Sequence, residues 1–318
     1  MKSTEKINEG CQTMADQLIA REKPYILHCI TTQKHFSPFD ANMACDAGYE
    51  TVFTYTNACL DEISGLVQDA IFSRGPRGVW RTGIFIGGRD MDLAMEMLET
   101  AKKSMFPPFQ VSLFADPSGA FTTGAALSAH VVSTCHEHFN TSLKGKRVVV
   151  FGASGPVGSC ASVMCAKEGA DVRMVAHSSV EKTTKLAEKY SAAYNVKLSC
   201  VDGSDDAKKA AIIADAEILL CCAAAGVRVI TTEMLLNAKN LLIAADVNAV
   251  PPAGVEGLDA MSDGLPIKGA ERIRGLGALA IGSRKYNLQK KMFQMMLDSD
   301  SSVALDFLSA YEVARKLS

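Results

Sequence analysis

The stretch "VVVFGASGPVGSCASVMCAKEGADVRMVAHSS", residues 148–179, has the pattern of a strand, a glycine-rich turn, a helix and a second strand. Gly152, Gly155 and Gly158 allow a tight turn in which the backbone approaches a pyrophosphate, while amides at the helix start face the phosphate oxygens. Pro156 suits the first helical turn, where its missing N–H costs nothing. Because the glycines follow an apolar strand and open a helix, we predict a nucleotide site rather than an ordinary glycine turn.

The second strand of this unit ends without an acidic residue. An Asp or Glu at that point would take the ribose hydroxyls of NAD and would repel a 2′-phosphate. The chain has instead His177, Ser178 and Ser179, followed one turn later by Lys182, and these residues offer donors and one positive charge. The sequence therefore predicts NADP, or the use of both NAD and NADP, over strict use of NAD.

Short strand patterns alternate with helical patterns along the chain. Strands are predicted at 25–31, 51–54, 82–87 and 111–115, and in a second series at 147–152, 171–176, 196–200, 217–222 and 241–246. Helices are predicted near 40–47, 59–72 and 90–104, and in two closing segments at about 285–298 and 302–317. Alternation at this spacing argues for parallel sheets with helices on both faces.

The two series predict an α/β protein with two α/β domains, joined around residues 118–140, and with ligands in the cleft between them. One is a Rossmann-like dinucleotide-binding domain, expected over residues 126–282. The other is a smaller parallel-sheet substrate domain, expected over residues 1–125 and completed by C-terminal helices within 283–318, because the second series is complete without them. The Gly-rich apolar stretch near 268–282 indicates a backbone packed close to another part of the protein.

Composition and charge narrow the class of protein. A net charge of −2 provides no field that would recruit nucleic acid or an anionic membrane. The first 24 residues lack the apolar core of a signal peptide, and the longest apolar run, around 216–227, is too short to span a bilayer. We therefore expect a cytoplasmic protein without nucleic-acid or membrane partners.

The spacing of cysteines and histidines does not predict a metal site. The ten cysteines are scattered without a CxxC pair, so buried reduced thiols are expected rather than disulfides or metal ligands. His136 and His138 lie two residues apart, and side chains at that spacing on a helix point in different directions. We expect an exposed helix face at these histidines.

Matching segments spread over nearly the whole chain, apart from the first two dozen residues, resemble one family. They are "HFSPFDANMACDAGYET" (35–51), "RTGIFIGGRDMDLA" (81–94), "FADPSGAFTTGAA" (114–126), "LKGKRVVVFGASGPVG" (143–158), "ADVNAVPPAGVEGLDA" (245–260) and "LGALAIGSRKY" (276–286). With these segments the chain resembles the bacterial NAD(P)-dependent methylene-tetrahydromethanopterin dehydrogenases of one-carbon metabolism. The resemblance implies an enzyme that passes hydride from methylene-tetrahydromethanopterin to NAD(P)+, leaving the methenyl cation, and that forms a homo-oligomer, a trimer or hexamer.

That reaction suits a chain without a recognisable triad, metal cluster or carboxylate pair. The hydride leaves a carbon flanked by two nitrogens, and the cation that forms is delocalised over both. Since no proton moves in this step, the protein has mainly to hold two rings face to face at reacting distance.

The resemblance places a lysine in the cleft, and Lys285 in "IGSRKY" matches it. We expect Lys285 to bind and orient the pterin or its carbonyl, as the catalytic residue. Segments after the first and third strands are assigned to the pterin because strand ends should face the cleft. Asp116 and Thr122 either line the same pocket or form a hinge or helix cap. The predicted substrate-binding residues are Thr31, Thr32, Ser37, Asp40, Gly88, Asp90, Asp116 and Thr122.

A loop containing Asp246 and Asn248 follows a strand of the nucleotide domain. It is either a proline-stiffened loop or, as the resemblance suggests, a contact near the nicotinamide end. The predicted cofactor-binding residues are Gly152, Ser154, Gly155, Pro156, Val157, Gly158, His177, Ser178, Ser179, Lys182, Ala223, Asp246 and Asn248.

Two other functions remain open at this level. Methylene-tetrahydrofolate dehydrogenases share the two-domain plan and the hydride step, and their bifunctional members carry a Tyr-x-x-x-Lys pair for cyclohydrolase chemistry. This chain has Tyr55 followed by Cys59 in place of that lysine, which argues against cyclohydrolase activity. The second alternative is a non-enzymatic NADP-sensing protein, which would have no need of a pterin cleft or of Lys285.

Overall fold

The computed structural model describes residues 23–317, apart from the side chains of residues 76 and 77, and contains two β-sheets. One sheet has five strands and the other has seven. Neighbouring strands run parallel in both sheets, except for one antiparallel pair at an edge. The prediction of an α/β protein with parallel sheets is confirmed.

The strands of the first sheet are β1 (Ile26–Ile30), β2 (Thr51–Tyr55), β3 (Thr82–Ile86), β4 (Ser112–Ala115) and β12 (Ala304–Leu305). Their order is β12-β4-β3-β1-β2, so β2 and β3 lie on opposite sides of β1. β3 is buried at every residue, as is typical of a parallel strand covered on both faces. Because β12 pairs with β4, the C-terminal part of the chain returns to this sheet.

The strands of the second sheet are β5 (Arg147–Phe151), β6 (Asp171–Ala176), β7 (Leu198–Asp202), β8 (Ile218–Cys221), β9 (Ile243–Asp246), β10 (Asp263–Ile267) and β11 (Ala270–Leu276). Their order is β10-β11-β9-β8-β5-β6-β7, so β6 and β8 lie on opposite sides of β5. The six parallel strands have the order of a doubly wound dinucleotide-binding sheet, and β10 is added antiparallel to β11.

The helices among the described residues are α1 (Pro38–Ala47), α2 (Ile63–Phe72), α3 (Pro76–Val79), α4 (Met91–Lys103), α5 (Ala120–Phe139), α6 (Pro156–Lys167), α7 (Val180–Tyr194), α8 (Asp206–Asp215), α9 (Thr232–Asn237), α10 (Ala278–Asp298) and α11 (Phe307–Leu317). Several begin at a residue whose side chain accepts an N–H three residues later, which fixes the helix start. These caps are Ser37, Asp90, Ser179, Asp205 and Thr231.

Helix α5 occupies most of the expected joint around residues 118–140, and it is buried along most of its length. It packs against α6, α10 and α11. At Gly124 a Cβ would lie 2.9 Å from the Cys160 Cβ on α6, so the two helices approach closely. The connection between the two sheets is therefore a packed 20-residue helix.

Both closing helices differ from their predicted bounds. α10 begins at Ala278, about two turns before residue 285, because the small residues of "GALAIGS" carry no helical periodicity. At Gly277 a Cβ would lie 2.2 Å from the Asp259 carbonyl oxygen, which confirms close backbone packing in the Gly-rich stretch. α11 begins at Phe307 rather than 302, because β12 occupies the preceding residues.

The cysteines of the described residues are free thiols. Cys160, Cys165 and Cys221 are buried, as expected, and Cys222 is half-buried, whereas the expectation of burial is wrong for Cys45 and Cys59, which are exposed. Burial raises the pKa of Cys165 to about 12, so this thiol stays protonated. Within residues 23–317, no helix combines the length and apolar character needed to cross a membrane.

Candidate active site

The glycine-rich turn after β5 has a backbone that only glycine can adopt without collision. Gly152 has φ of 70°, and a Cβ there would lie 2.3 Å from the Cys222 carbonyl oxygen. A Cβ on Gly158 would lie 2.4 Å from the Gly152 oxygen, so α6 packs directly on the turn. Gly155 caps α6, and its N–H bonds the Gly152 oxygen at 3.0 Å. These features fit a dinucleotide pyrophosphate at the helix N-terminus.

The turn lies at the point where the order of the second sheet reverses. β6 and β8 extend from opposite sides of β5, which leaves a crevice beyond the carboxyl ends of β5 and β8. Ser154 is exposed, whereas Pro156 and Val157 are half-buried in the first turn of α6. Ala223 follows β8 and is half-buried, so its backbone borders the same crevice.

The residues predicted at the ribose end lie past β6. His177, Ser178 and Lys182 are exposed. Ser179 caps α7, and its hydroxyl accepts the Lys182 N–H at 3.2 Å. Because the Ser179 hydroxyl caps the helix, it is engaged in the fold. The side chains of His177 and Ser178 are exposed to solvent and remain available to a ligand.

An acid that sequence reasoning did not consider lies beside this position. Asp202 ends β7 and is paired in register with Ala176, the last residue of β6. Its carboxylate accepts from Lys208 Nζ at 2.7 Å and from the Ser204 N–H at 3.0 Å. These hydrogen bonds lower the pKa of Asp202 to about 2, and Lys208 balances the charge.

Asp246 and Asn248 are buried and bonded within their own loop. The Asp246 carboxylate accepts the Asn248 N–H at 2.9 Å and the Val255 N–H at 3.0 Å. Asn248 Oδ1 accepts the Val250 N–H at 2.9 Å and the Gly226 N–H at 3.2 Å. The two side chains therefore brace the loops after β8 and β9, which favours the stiffened-loop alternative.

The first sheet has a cavity of about 260 Å³ at the corresponding point, between the segments that follow β1 and β3. β2 and β3 lie on opposite sides of β1, so this too is a position where strand order reverses. Of the predicted substrate residues, the structure brings four together in the cavity wall: Thr31, Ser37, Asp40 and Gly88. Ser118, from the turn after β4, completes the wall, and its hydroxyl bonds the Gly88 oxygen at 2.7 Å.

Other predicted substrate residues lie outside the lining of this cavity. Asp90 caps α4 and accepts the Leu93 N–H at 3.0 Å. Asp116 accepts the Phe121 N–H at 2.9 Å and the Thr122 hydroxyl at 2.6 Å, which favours the helix-cap alternative for this pair. Thr32 accepts from the neighbouring Gln33 side chain at 3.2 Å.

Lys285 lies about two turns into α10, next to the cavity but outside the set of residues that line it. Its Nζ is 4.0 Å from the centre of the Phe39 ring and donates a hydrogen bond to Gln289 Oε1. Gln289 Nε2 in turn donates to Asp40 Oδ1 at 2.7 Å. Burial lowers the pKa of Lys285, and the carboxylates of Asp116 and Asp40 oppose that shift. A partly buried ammonium group is thereby held close enough to two carboxyl groups for their charges to act on it.

Sequence reasoning missed the residues that surround Lys285. Gln289 follows Lys285 by four positions, and side chains at that spacing share a helix face, so this neighbour could have been found. Phe39 and Gly119 carried no local signal. They meet Lys285 only because α1 and the turn after β4 pack against α10.

Positive charge faces solvent at the cavity mouth. Lys34 and Arg89 border the cavity and are exposed. None of the ion pairs among residues 23–317 involves either of them. The cavity wall thus combines these two cations with the carboxyl group of Asp40. His136 and His138, by contrast, are exposed on α5, as expected.

Comparison with known proteins relates this geometry to a family. A family profile described as "Methylene-tetrahydromethanopterin dehydrogenase, N-terminal" matches residues 38–118. The chain is 45% identical over 289 residues to the NAD(P)-dependent methylenetetrahydromethanopterin dehydrogenase of Methylorubrum extorquens, with 91% of this chain and 97% of that protein covered. It is 31% identical over 281 residues to the bifunctional protein MdtA of the same organism, covering 88% and 94%.

A solved structure shares the fold. Shikimate 5-dehydrogenase from Listeria monocytogenes, determined with shikimate and NAD, superposes with a TM-score of 0.50 at 14% sequence identity. The match covers 91% of this chain and 96% of that chain. At this level of identity, the likeness supports the two-sheet architecture alone.

Proposed function

Because this chain belongs to the family of NAD(P)-dependent methylenetetrahydromethanopterin dehydrogenases, we propose that it oxidises methylene-tetrahydromethanopterin and passes the hydride to NAD(P)+. The product is the methenyl cation, and the reaction belongs to one-carbon metabolism. The observation that carries this proposal is the 45% identity over 97% of the relative's length. The topology supports it, because the strand order reverses once in each sheet and such a position leaves a crevice for a ligand. The two crevices match the two ligands of the reaction, the pterin and the nucleotide.

The residues of the second sheet fit the nucleotide cofactor. We assign its pyrophosphate to the turn of Gly152, Gly155 and Gly158, where added Cβ atoms would fill the space against the backbone. The bound nicotinamide supplies the hydride acceptor. His177 and Ser178, exposed past β6, are assigned to the adenosine ribose and leave room for a 2′-phosphate.

The residues of the first sheet are assigned to the pterin. Thr31, Ser37 and Asp40 offer hydrogen-bonding groups in the cavity wall, which would orient a polar ring. Lys285 would donate to a pterin carbonyl from beside that wall, and its charge would hold the ring in place. Catalysis then rests on positioning, because hydride transfer requires no proton to move.

We also propose a division into two domains. Residues 1–125 with 283–318 are assigned to the substrate domain and residues 126–282 to the nucleotide domain; residues 1–22 and 318 of this assignment lie outside the described residues. The pairing of β12 with β4 supports this assignment for the C-terminal part of the chain.

We further propose a homo-oligomer, a trimer or hexamer. The Phe72 and Phe106 rings pack together and are 52% and 48% exposed, which suits a surface that contacts a second copy of the chain.

The reaction is tested by following NAD(P)H absorbance with methylene-tetrahydromethanopterin and, separately, with methylene-tetrahydrofolate. We expect turnover of the methanopterin substrate with both nucleotides. Turnover of the folate alone would favour a folate dehydrogenase, and binding of nucleotide without turnover of either would favour a sensing protein.

Lys285→Ala tests the assigned active-site lysine. We expect kcat/KM for the pterin to fall at least tenfold, because a charge-assisted hydrogen bond to substrate contributes about 1.5–3 kcal/mol. Lys291→Ala, at an exposed lysine of the same helix, serves as the control and should leave kcat/KM unchanged. A loss of less than tenfold for Lys285→Ala would remove this residue from the active site.

A further inference from the structure

Gln289 is a fully buried polar residue that the proposed reaction does not yet use. It lies on α10, has 0% of its surface exposed, and has both ends of its amide engaged. Oε1 accepts from Lys285 Nζ, and Nε2 donates to Asp40 Oδ1 at 2.7 Å. The amide therefore bridges a cation on α10 and a carboxylate on α1, at the edge of the cavity.

The two partners fix the orientation of the amide. An ammonium group has only donors and an ionised carboxylate has only acceptors, so the amide oxygen must face Lys285 and the amide nitrogen must face Asp40. The hydrogen bonds and ion pairs of the described residues include no direct contact between Lys285 and Asp40. The length of the amide holds the two charges apart, where an ordinary ion pair would bring them together.

The backbone at Gly119 also contacts the end of the Lys285 side chain and limits where it can lie. At Gly119 a Cβ would lie 3.0 Å from Lys285 Cε and 3.1 Å from Nζ, so the end of the lysine rests against this glycine. The centre of the Phe39 ring lies 4.0 Å from Nζ. With one N–H bonded to Gln289 and the ring nearby, the three-donor ammonium retains a donor for a ligand oxygen.

We infer that Gln289 is a positioning residue of the active site, which holds the Lys285 ammonium away from Asp40 and directs it toward the pterin. The inference rests on the proposed function, since it assigns a role within the same reaction. Gln289 acts through Lys285 and does not itself touch the reacting atoms.

Charged groups surround the Gln289 amide, so replacing it should change the position and charge state of Lys285. Asp40 faces Lys285 from α1, and Asp116 faces it from the turn after β4. Burial raises the pKa of Asp40, while the hydrogen bond from Gln289 and the charge of Lys285 lower it. Without the amide, the lysine is free to pair directly with Asp40 and to turn its remaining donor away from the cavity.

Gln289→Met tests the bridge, because methionine has nearly the same length and is apolar. We expect kcat/KM for methylene-tetrahydromethanopterin to fall about 10–100-fold, as for a lost hydrogen bond to a charged group. The KM for NAD(P)+ should stay within about twofold, since the Gln289 side chain bonds Lys285 and Asp40 and none of the residues assigned to the cofactor. Gln294→Met, at a half-buried glutamine of the same helix, is the matched control and should behave as the wild type.

Gln289→Glu separates positioning from mere packing. Glutamate keeps the oxygen that accepts from Lys285 but places a carboxylate against Asp40. The added negative charge should stabilise the ammonium, so the alkaline limb of the kcat/KM profile should move to higher pH. A purely structural role would lower stability without moving that limb.

A readout independent of turnover distinguishes this inference from the proposed function. Reductive methylation of Lys285, followed by mass spectrometry against pH, reports the reactivity of the amine. We expect Gln289→Met and Gln289→Glu to change that reactivity and Gln294→Met to leave it alone. Unchanged reactivity and an unchanged kcat/KM in folded Gln289→Met would overturn the inference; wild-type protein inactive on the pterin would overturn only the proposed function.

Discussion

Ser178 is exposed just past β6, and it is the residue at which the choice between NAD and NADP can be tested most directly. Its neighbour Ser179 is occupied as a helix cap, while the nearby acid Asp202 is balanced by Lys208. No uncompensated acid is therefore present at this point among the residues described here. The local charge permits a 2′-phosphate without demanding one.

Ser178→Asp should make this site reject the 2′-phosphate of NADP+. An added carboxylate near the 2′ position is expected to penalise NADP+ by roughly 1–3 kcal/mol in kcat/KM while sparing NAD+. Steady-state kinetics with both nucleotides measure the difference. Ser301→Asp, which adds the same charge at an exposed site near the C-terminus, should affect neither cofactor. Equal losses for both cofactors in Ser178→Asp would show that Ser178 does not face the ribose.

At the scale of elements, Arg272 joins β11 to the end of α9. Its guanidinium donates to the Leu235 oxygen at 2.9 Å and to the Leu241 oxygen at 3.1 Å, and also bonds the Ala238 and Lys239 carbonyls. The last carbonyl groups of a helix lack the hydrogen bonds that the helix interior provides. A side chain that donates hydrogen bonds to them therefore stabilises the helix end. α9 has only six residues and depends on such contacts.

Arg272→Met should lower the free energy of unfolding by about 1–2 kcal/mol, because several carbonyls lose a charged donor. Activity should be unchanged in the folded protein, since Arg272 lies outside both crevices. Urea denaturation measures the loss, and Arg274→Met in the same strand is the control. A variant with wild-type stability would mean that water replaces the guanidinium without cost.

At the scale of the whole molecule, His130 links the central helix to the nucleotide-binding sheet. It is a buried residue of α5, and its neutral ring donates a hydrogen bond from Nε2 to the carboxylate of Asp263 at the start of β10. Its Nδ1 has no hydrogen-bond partner among the described residues. Burial lowers the pKa of His130 to about 4, with the charge of Arg284 acting in the same direction and Asp263 opposing both.

This lowered pKa predicts a loss of stability in acid. Between its folded pKa of about 4 and its ordinary value of about 6.5, His130 binds more protons in the unfolded chain than in the folded one. Its contribution is therefore present above pH 6.5 and is lost as the pH falls, by about 2 kcal/mol at pH 5.

His130→Gln should remove this pH dependence. Unfolding free energies of wild type and variant, compared at pH 5 and 7.5, isolate the histidine from other groups. Asp116 is one such group, because burial raises its pKa to about 6 and so acts in the opposite direction. Parallel pH profiles for the two proteins would show that His130 titrates normally in the fold.

The α/β class, the strand positions and the glycine turn could be predicted from the sequence alone. They depend on local patterns: runs such as "RVVVF" at β5 and the spacing of Gly152, Gly155 and Gly158, whose side-chain-free backbone the turn requires. The segments after β1 and β3 were also assigned to the substrate on local grounds, and the cavity lies there. In such cases the interactions that form the structure are between residues close in sequence, so periodicity and residue type are sufficient to predict it.

Only the tertiary structure decided which polar residues meet and which are occupied elsewhere. Asp40 and Gln289 are separated by 249 positions, and their contact depends on how α1 packs against α10. For Asp116 and Asn248 the sequence left a ligand contact open beside a helix cap or a stiffened loop, and the structure shows their oxygens bonded to nearby backbone N–H groups. A side chain has the same composition whether it caps a helix, braces a loop or faces a cavity. Its partners are chosen by packing between distant segments, which local sequence patterns do not encode.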